Sequence, residues 1–186
     1  MKRVLFVSHC ILNTASKVTN ISKQQPSPEE ILRKKFVVKA IEENIQLIQL
    51  PCPEFTLYGS KRWGHTKDQF DNVFFRTHCR KILQPIVEQM TEYQQNPQSF
   101  EIIGVVGIEG SPSCGVTVTY RGDWGGELSG HPDLGVVVSK IHREQESGVL
   151  IDVLREMLYE IGLFVKIIGL NGKEPEATLA ILDNQA

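Results

Sequence analysis

The stretch 100-FEIIGVVGIEGSPSCGV-116 decides the fold. Its first half is a run of Ile, Val and Gly that does not alternate strictly with polar residues, the pattern of a strand covered on both faces. It then breaks at once into a small, polar loop carrying a thiol. Three similar runs, 3-RVLFVSH-9, 45-IQLIQLP-51 and 164-FVKIIGL-170, read as further strands. Between them lie helical patterns. Ser27-Pro28-Glu29-Glu30 is a capping box with proline at the first helical position. Thr66-Lys67-Asp68-Gln69 repeats that logic ahead of an amphipathic run to about Tyr93, and a short helix is predicted over Leu134–Arg143. Leu150, Val153, Leu154, Met157, Leu158 and Ile161 share one face of a helix that Gly162 ends. The alternation predicts one three-layer α/β/α domain over residues 1–186, Rossmann-like, with a mostly parallel central sheet. Ile11–Pro26 and 115-GVTVTYRGDWGGELSGHPD-133 read as irregular, the second with a hairpin where Val116, Val118 and Tyr120 alternate.

A chain of 186 residues, 41% hydrophobic, can bury a sizeable core. Twenty basic and 22 acidic residues leave a net charge of −2 with no block of one sign, which argues against nucleic-acid or anionic-membrane partners. No apolar run approaches the ~18 residues of a membrane helix. The apolar part of 1-MKRVLFVSHC-10 is too short for a signal peptide, so a cytoplasmic location is expected. There is no GxGxxG, Walker loop, HExxH or GxSxG.

The four cysteines, Cys10, Cys52, Cys79 and Cys114, form no CxxC pair and are too few for a disulfide scaffold. Cys10 and Cys52 directly follow predicted strands, and Cys114 lies just past a third. In open parallel sheets the ligand crevice lies outside the carboxyl ends of the strands, so these three thiols are expected to converge. Cys79 is in step with Phe75, Ile82, Leu83 and Ile86 and reads as core, and burial in the core is an alternative for all four. Three converging thiolates suit zinc with a fourth position open or filled by His or Glu, although structural zinc favours short-spaced pairs. They also suit an iron–sulfur cluster, which normally takes four cysteines; with three, one iron is open to substrate as a Lewis acid.

The SHC ending at Cys10, the CPE beginning at Cys52 and the GSPSCG around Cys114 together resemble the 2-thiouracil desulfurase family, and 120-YRGDWGGELSG-130 and the Gly148–Gly162 helix are similar to its C-terminal half. The resemblance implies an enzyme with a 4Fe–4S cluster held by Cys10, Cys52 and Cys114. Its substrate would be a small sulfur-containing molecule whose thiocarbonyl sulfur binds the open iron and is replaced by water without net redox change. Glu54 and Ser111 fall on positions expected to assist catalysis. The chain departs from the family in 10-CILNTASKVTN-20 and 55-FTLYGSKRWGH-65, where Gly59 and Arg62 are the plausible counterparts. Both segments are expected to border the substrate pocket.

Other residues carry weaker signals. Glu109, at a strand end, is a candidate substrate contact or second acid/base. Asn13, Ser113 and Trp63 are candidate pocket residues, with packing or turn roles as alternatives. His9 is expected on the opposite side of its strand from Cys10. A cysteine hydrolase using Cys114, with His9 or His131 as base, and a zinc-thiolate module with a structural or sensing role remain alternatives.

Overall fold

The computed structural model describes residues 1–18, 26–122, 125–127, 129–130 and 133–183. Four strands, β1 (Lys2–Val7), β2 (Gln46–Gln49), β3 (Phe100–Ile108) and β6 (Ile167–Leu170), form a wholly parallel sheet in the order β2-β1-β3-β6. Helices α1 (His9–Leu12) and α2 (Pro28–Glu42) follow β1; α3 (Pro53–Tyr58), α4 (Lys67–Phe70) and α5 (Val73–Gln95) follow β2. After β3 come β4 (Thr119–Arg121), α6 (Leu134–Ser139), β5 (His142–Glu144) and α7 (Val149–Glu160), and α8 (Pro175–Leu179) follows β6.

The period of two along β1 builds both halves of the core. Val4 and Phe6 point into a cluster with α5 and α7, including Phe75, Leu83, Met90, Leu150 and Leu154. Leu5 and Val7 point the other way, against Leu32, Phe36 and Ala40 of α2 and Leu179 and Leu182 at the C-terminal end. Burial on both faces explains why the strands read as continuous apolar runs. The structure is thus the expected three-layer α/β arrangement with a parallel sheet. Among the described residues, no helix is long and apolar enough to cross a membrane.

Several local expectations are corrected. The Thr66 capping box is present, but its helix ends at Phe70, because Asn72 starts a new one. Asn72 Oδ1 accepts from the N–H groups of Phe74 (3.1 Å) and Phe75 (3.0 Å), an N-cap that resets the helix at Val73. The Leu134–Arg143 helix stops at Ser139, and His142–Glu144 instead pairs antiparallel with Thr119–Arg121. Alternation near Tyr120 therefore marks a strand whose partner is distant in sequence, not a local hairpin. Ile11–Pro26 is not wholly irregular: α1 extends to Leu12 and a 3₁₀ turn follows at Thr14–Ser16.

Candidate functional site

The ends of β1, β2 and β3 deliver three cysteines to one cavity of about 210 Å³, lined by Cys10, Cys52 and Cys114 together with Glu54, Arg62 and Ser113. Each arrives differently. Cys10 lies in α1, and its Sγ is 3.4 Å from Ser16 Oγ. Cys52 is the N-cap of α3, where its Sγ accepts from the Phe55 N–H at 3.4 Å, Pro53 occupies the first turn and Glu54 follows. Cys114 sits in the loop after β3, and its N–H donates to Ser111 Oγ at 3.0 Å. Cys79 lies fully buried in α5, outside this cavity, and burial pushes its thiol up to about 12.

The Cys114 loop is held from behind by α7. The first four N–H groups of a helix lack intrahelical acceptors. Here Val149 N–H donates to Pro112 O (3.1 Å) and Leu150 N–H to Ser113 O (2.9 Å), while Gly148 N–H donates to Gly115 O (2.9 Å). Loop and helix approach so closely that a side chain at Gly148 would stand 2.5 Å from the Ser113 carbonyl carbon.

Glu54 is the polar hub. Ser113 Oγ donates to Glu54 Oε1 at 2.7 Å, and Arg62 Nε donates to Glu54 Oε2 at 3.2 Å. The ion pair is largely buried, with the Arg62 side chain 5% exposed and Glu54 12%. Arg62 also donates to Gly59 O (3.2 Å) and Ser16 O (2.5 Å), tying the loops after β1 and β2 together. Ser111 Oγ lies 3.3 Å from Ser113 Oγ and already accepts from the backbone N–H groups of Ser113 and Cys114. Its own proton is therefore free to point at Ser113, whose proton points at Glu54. The result is a directed chain, Ser111 to Ser113 to Glu54.

Burial pushes the Cys114 and Cys10 thiols up, and the neighbouring thiols and Glu54 add to that pressure. Ser8 Oγ is buried without a hydrogen-bond partner among the described residues and lines the same cavity. No three described His, Cys, Asp or Glu side chains are grouped so as to share one metal ion.

Other expected residues fall elsewhere. Asn13 Oδ1 accepts from Ala15 N–H at 2.9 Å and caps the 3₁₀ turn, and it is not among the cavity's lining residues. Glu109 is also absent from the lining: its carboxylate accepts from the N–H groups of Val116 (3.3 Å), Thr117 (3.1 Å) and Val118 (3.0 Å) and braces that loop. His9 does line the cavity, because the chain has already turned into α1 there and strand alternation no longer applies. His131, the other base considered for a hydrolase, lies outside the described residues.

His65 and Lys17 were not singled out by the sequence. Both line the cavity. His65 stacks on Tyr58 with ring centroids 5.3 Å apart, and burial lowers its pKa.

The model of a protein family described as "Putative 2-thiouracil desulfurase" matches residues 1–125, which include every cavity residue named above. The chain belongs to this family. The family name points to a desulfurase-type enzyme. A protein of Methanocaldococcus jannaschii, itself named only as uncharacterized, is 36% identical over 115 residues, covering 62% of this chain and 69% of that protein. No solved structure matches the chain. The desulfurase family match ends before α7, so the helix that braces the Cys114 loop lies beyond the matched region.

Proposed function

We propose that the chain is an iron–sulfur-dependent desulfidase that removes sulfur from a small thiocarbonyl compound by hydrolysis. The observation that carries this reading is the delivery of three cysteines, from three separate strand ends, to one cavity that also holds Glu54, Ser111 and Ser113. The donor set fits a 4Fe–4S cluster bound by Cys10, Cys52 and Cys114. Cysteines of such a cluster bind different irons, so they need not converge on one ion. Buried thiols with a carboxylate beside them are poor hosts for unneutralised thiolate charge, and a cationic centre relieves that. When bound, the cluster supplies an open, soft Lewis-acid position suited to sulfur.

The reaction is R₂C=S + H₂O → R₂C=O + H₂S, which needs no electron donor. Glu54, ion-paired to Arg62, takes a proton from the attacking water as general base. Ser111 and Ser113, with hydroxyls 3.3 Å apart, relay that proton from the water towards Glu54, which returns it as general acid to the departing sulfur. Arg62 fixes the carboxylate and keeps a positive charge beside it. Positioned groups of this kind contribute about 10²–10⁴-fold.

The cysteine-hydrolase reading is less well supported. Cys114 is 8% exposed, its thiol is pushed up by burial, and the group its Sγ meets, at 3.6 Å, is the Ser113 hydroxyl oxygen and not an imidazole. Anaerobic reconstitution followed by iron and sulfide analysis tests the proposal. About four irons per chain and sulfide release from thiopyrimidines without reductant are expected. A colourless protein active without iron would overturn it, and a strict electron-donor requirement would overturn the hydrolytic mechanism.

A further inference from the structure

A second cavity, of about 480 Å³, adjoins the cysteine site. Gly64, His65 and Pro112 line both, so the two share a wall. Apart from Thr66 and Gly110, the remainder of the second cavity's lining is apolar: Trp63, Tyr120, Leu134, Val138 and Ile141. Exposed apolar side chains scattered singly need no explanation, but several gathered round a concavity mark a binding surface. Trp63 is 71% exposed here, and Tyr120 and Val138 are also exposed.

The volumes decide what the second cavity is for. Small-molecule sites usually span ~300–1,000 Å³. The cysteine cavity, at about 210 Å³, falls below that range and on the reading above must also seat the cluster. Little room is left there for more than the reacting head of a substrate. From the shared wall and this shortfall we infer that the substrate is a thiocarbonyl compound carrying an apolar, preferably aromatic, substituent. The thiocarbonyl faces the cysteines, and the substituent occupies the Trp63–Tyr120–Val138 cavity. The inference rests on the desulfidase reading for the identity of the head, whereas the apolar cavity can be probed without turnover.

The test uses matched ligands: a 2-thiopyrimidine with and without a phenyl group on a ring carbon, and the unreactive oxo analogue of each. Calorimetry with the oxo pair is expected to show at least ~10-fold tighter binding of the phenyl compound, since one methylene in an apolar pocket is already worth ~10–200-fold. Trp63→Ala and Val138→Asp should each shrink that ratio towards one, with folding checked by circular dichroism. Equal affinity of wild type for both oxo compounds overturns the inference, whatever the thio compounds do. A dimer broken by Val138→Asp, with no ligand discrimination, would assign the cavity to a second copy of the chain and also overturn it. Phenyl-selective binding without sulfide release from either thio compound would instead sink the desulfidase reading and leave the cavity assignment standing.

Discussion

Replacing Gly148 by alanine tests whether α7 holds the reactive loop. The added methyl would lie 2.5 Å from Ser113 C, 2.6 Å from Ser113 O and 2.8 Å from Pro112 O. Carbon contacts are comfortable at about 3.5–4.0 Å, so loop and helix must part by roughly 1 Å. All three neighbours are backbone atoms that cannot rotate away. Overpacking of this kind costs about 1–3 kcal/mol. Separation also stretches the bonds from Val149 to Pro112 and from Leu150 to Ser113, each worth about 0.5–1.5 kcal/mol. Against this, Gly148 has φ −77° and ψ 161°, which alanine adopts freely, so reduced unfolded-state entropy returns about 0.4–1 kcal/mol. The net is a loss of about 1–6 kcal/mol, the upper end if both bonds are lost outright, or roughly 2–24 °C in Tm for a chain of this length. Gly135→Ala is the control, because nothing lies within 4 Å of its added methyl in α6. It should gain about 0.5–1 kcal/mol. Thermal melts, with iron per chain after anaerobic reconstitution, read both effects. A Gly148→Ala protein that melts at or above wild type with full iron loading would refute the bracing role of α7.

Serine at Cys10, Cys52 or Cys114 should each abolish the visible cluster spectrum, whereas Cys79→Ser should keep about four irons per chain. Loss of the spectrum with Cys79→Ser alone would contradict the ligand assignment. Glu54→Gln should preserve that spectrum and cost about 10²–10⁴-fold in turnover, with a smaller loss for Ser111→Ala; equal activity per assembled cluster in Glu54→Gln would remove its role as base. Acid stability should follow Glu146, whose carboxyl is held below its ordinary range by Arg121 and Lys67. A depressed folded-state pKa contributes stability above the ordinary glutamate value, near 4.3, that is lost as pH falls through the lower folded value. Tm against pH should therefore decline more gently on the acid side in Glu146→Gln, and parallel curves would show that this pair contributes nothing.

The sheet and the meeting of the cysteines were legible because both follow from local signals: doubly buried strands read as unbroken apolar runs, and parallel strands place their exits at one edge. The partners within the site were not. Arg62 reaches Glu54 across Gly59, which turns with φ 73°, and no spacing rule marks that pair. Asn13 and Glu109 looked available for substrate because a sequence shows a polar side chain without showing which backbone N–H groups have already claimed it. The Thr119–Arg121 strand was half legible: its alternation was visible, but its partner lies beyond Leu134–Ser139.

The wiring of the sheet also dictates when the site can come into being. Cys10 and Cys114 meet only after β3 docks beside β1, a parallel pairing of residues about a hundred positions apart, and Cys52 joins through β2 on the opposite flank. Such non-local closures are slow and come late in chain collapse. An unfolded or half-assembled chain therefore offers only scattered thiols, and any ligand that binds all three together in the native form alone would draw the population towards it by mass action. On the iron–sulfur reading proposed above, cofactor occupancy would thus act as a gauge of how much of the chain has completed its fold.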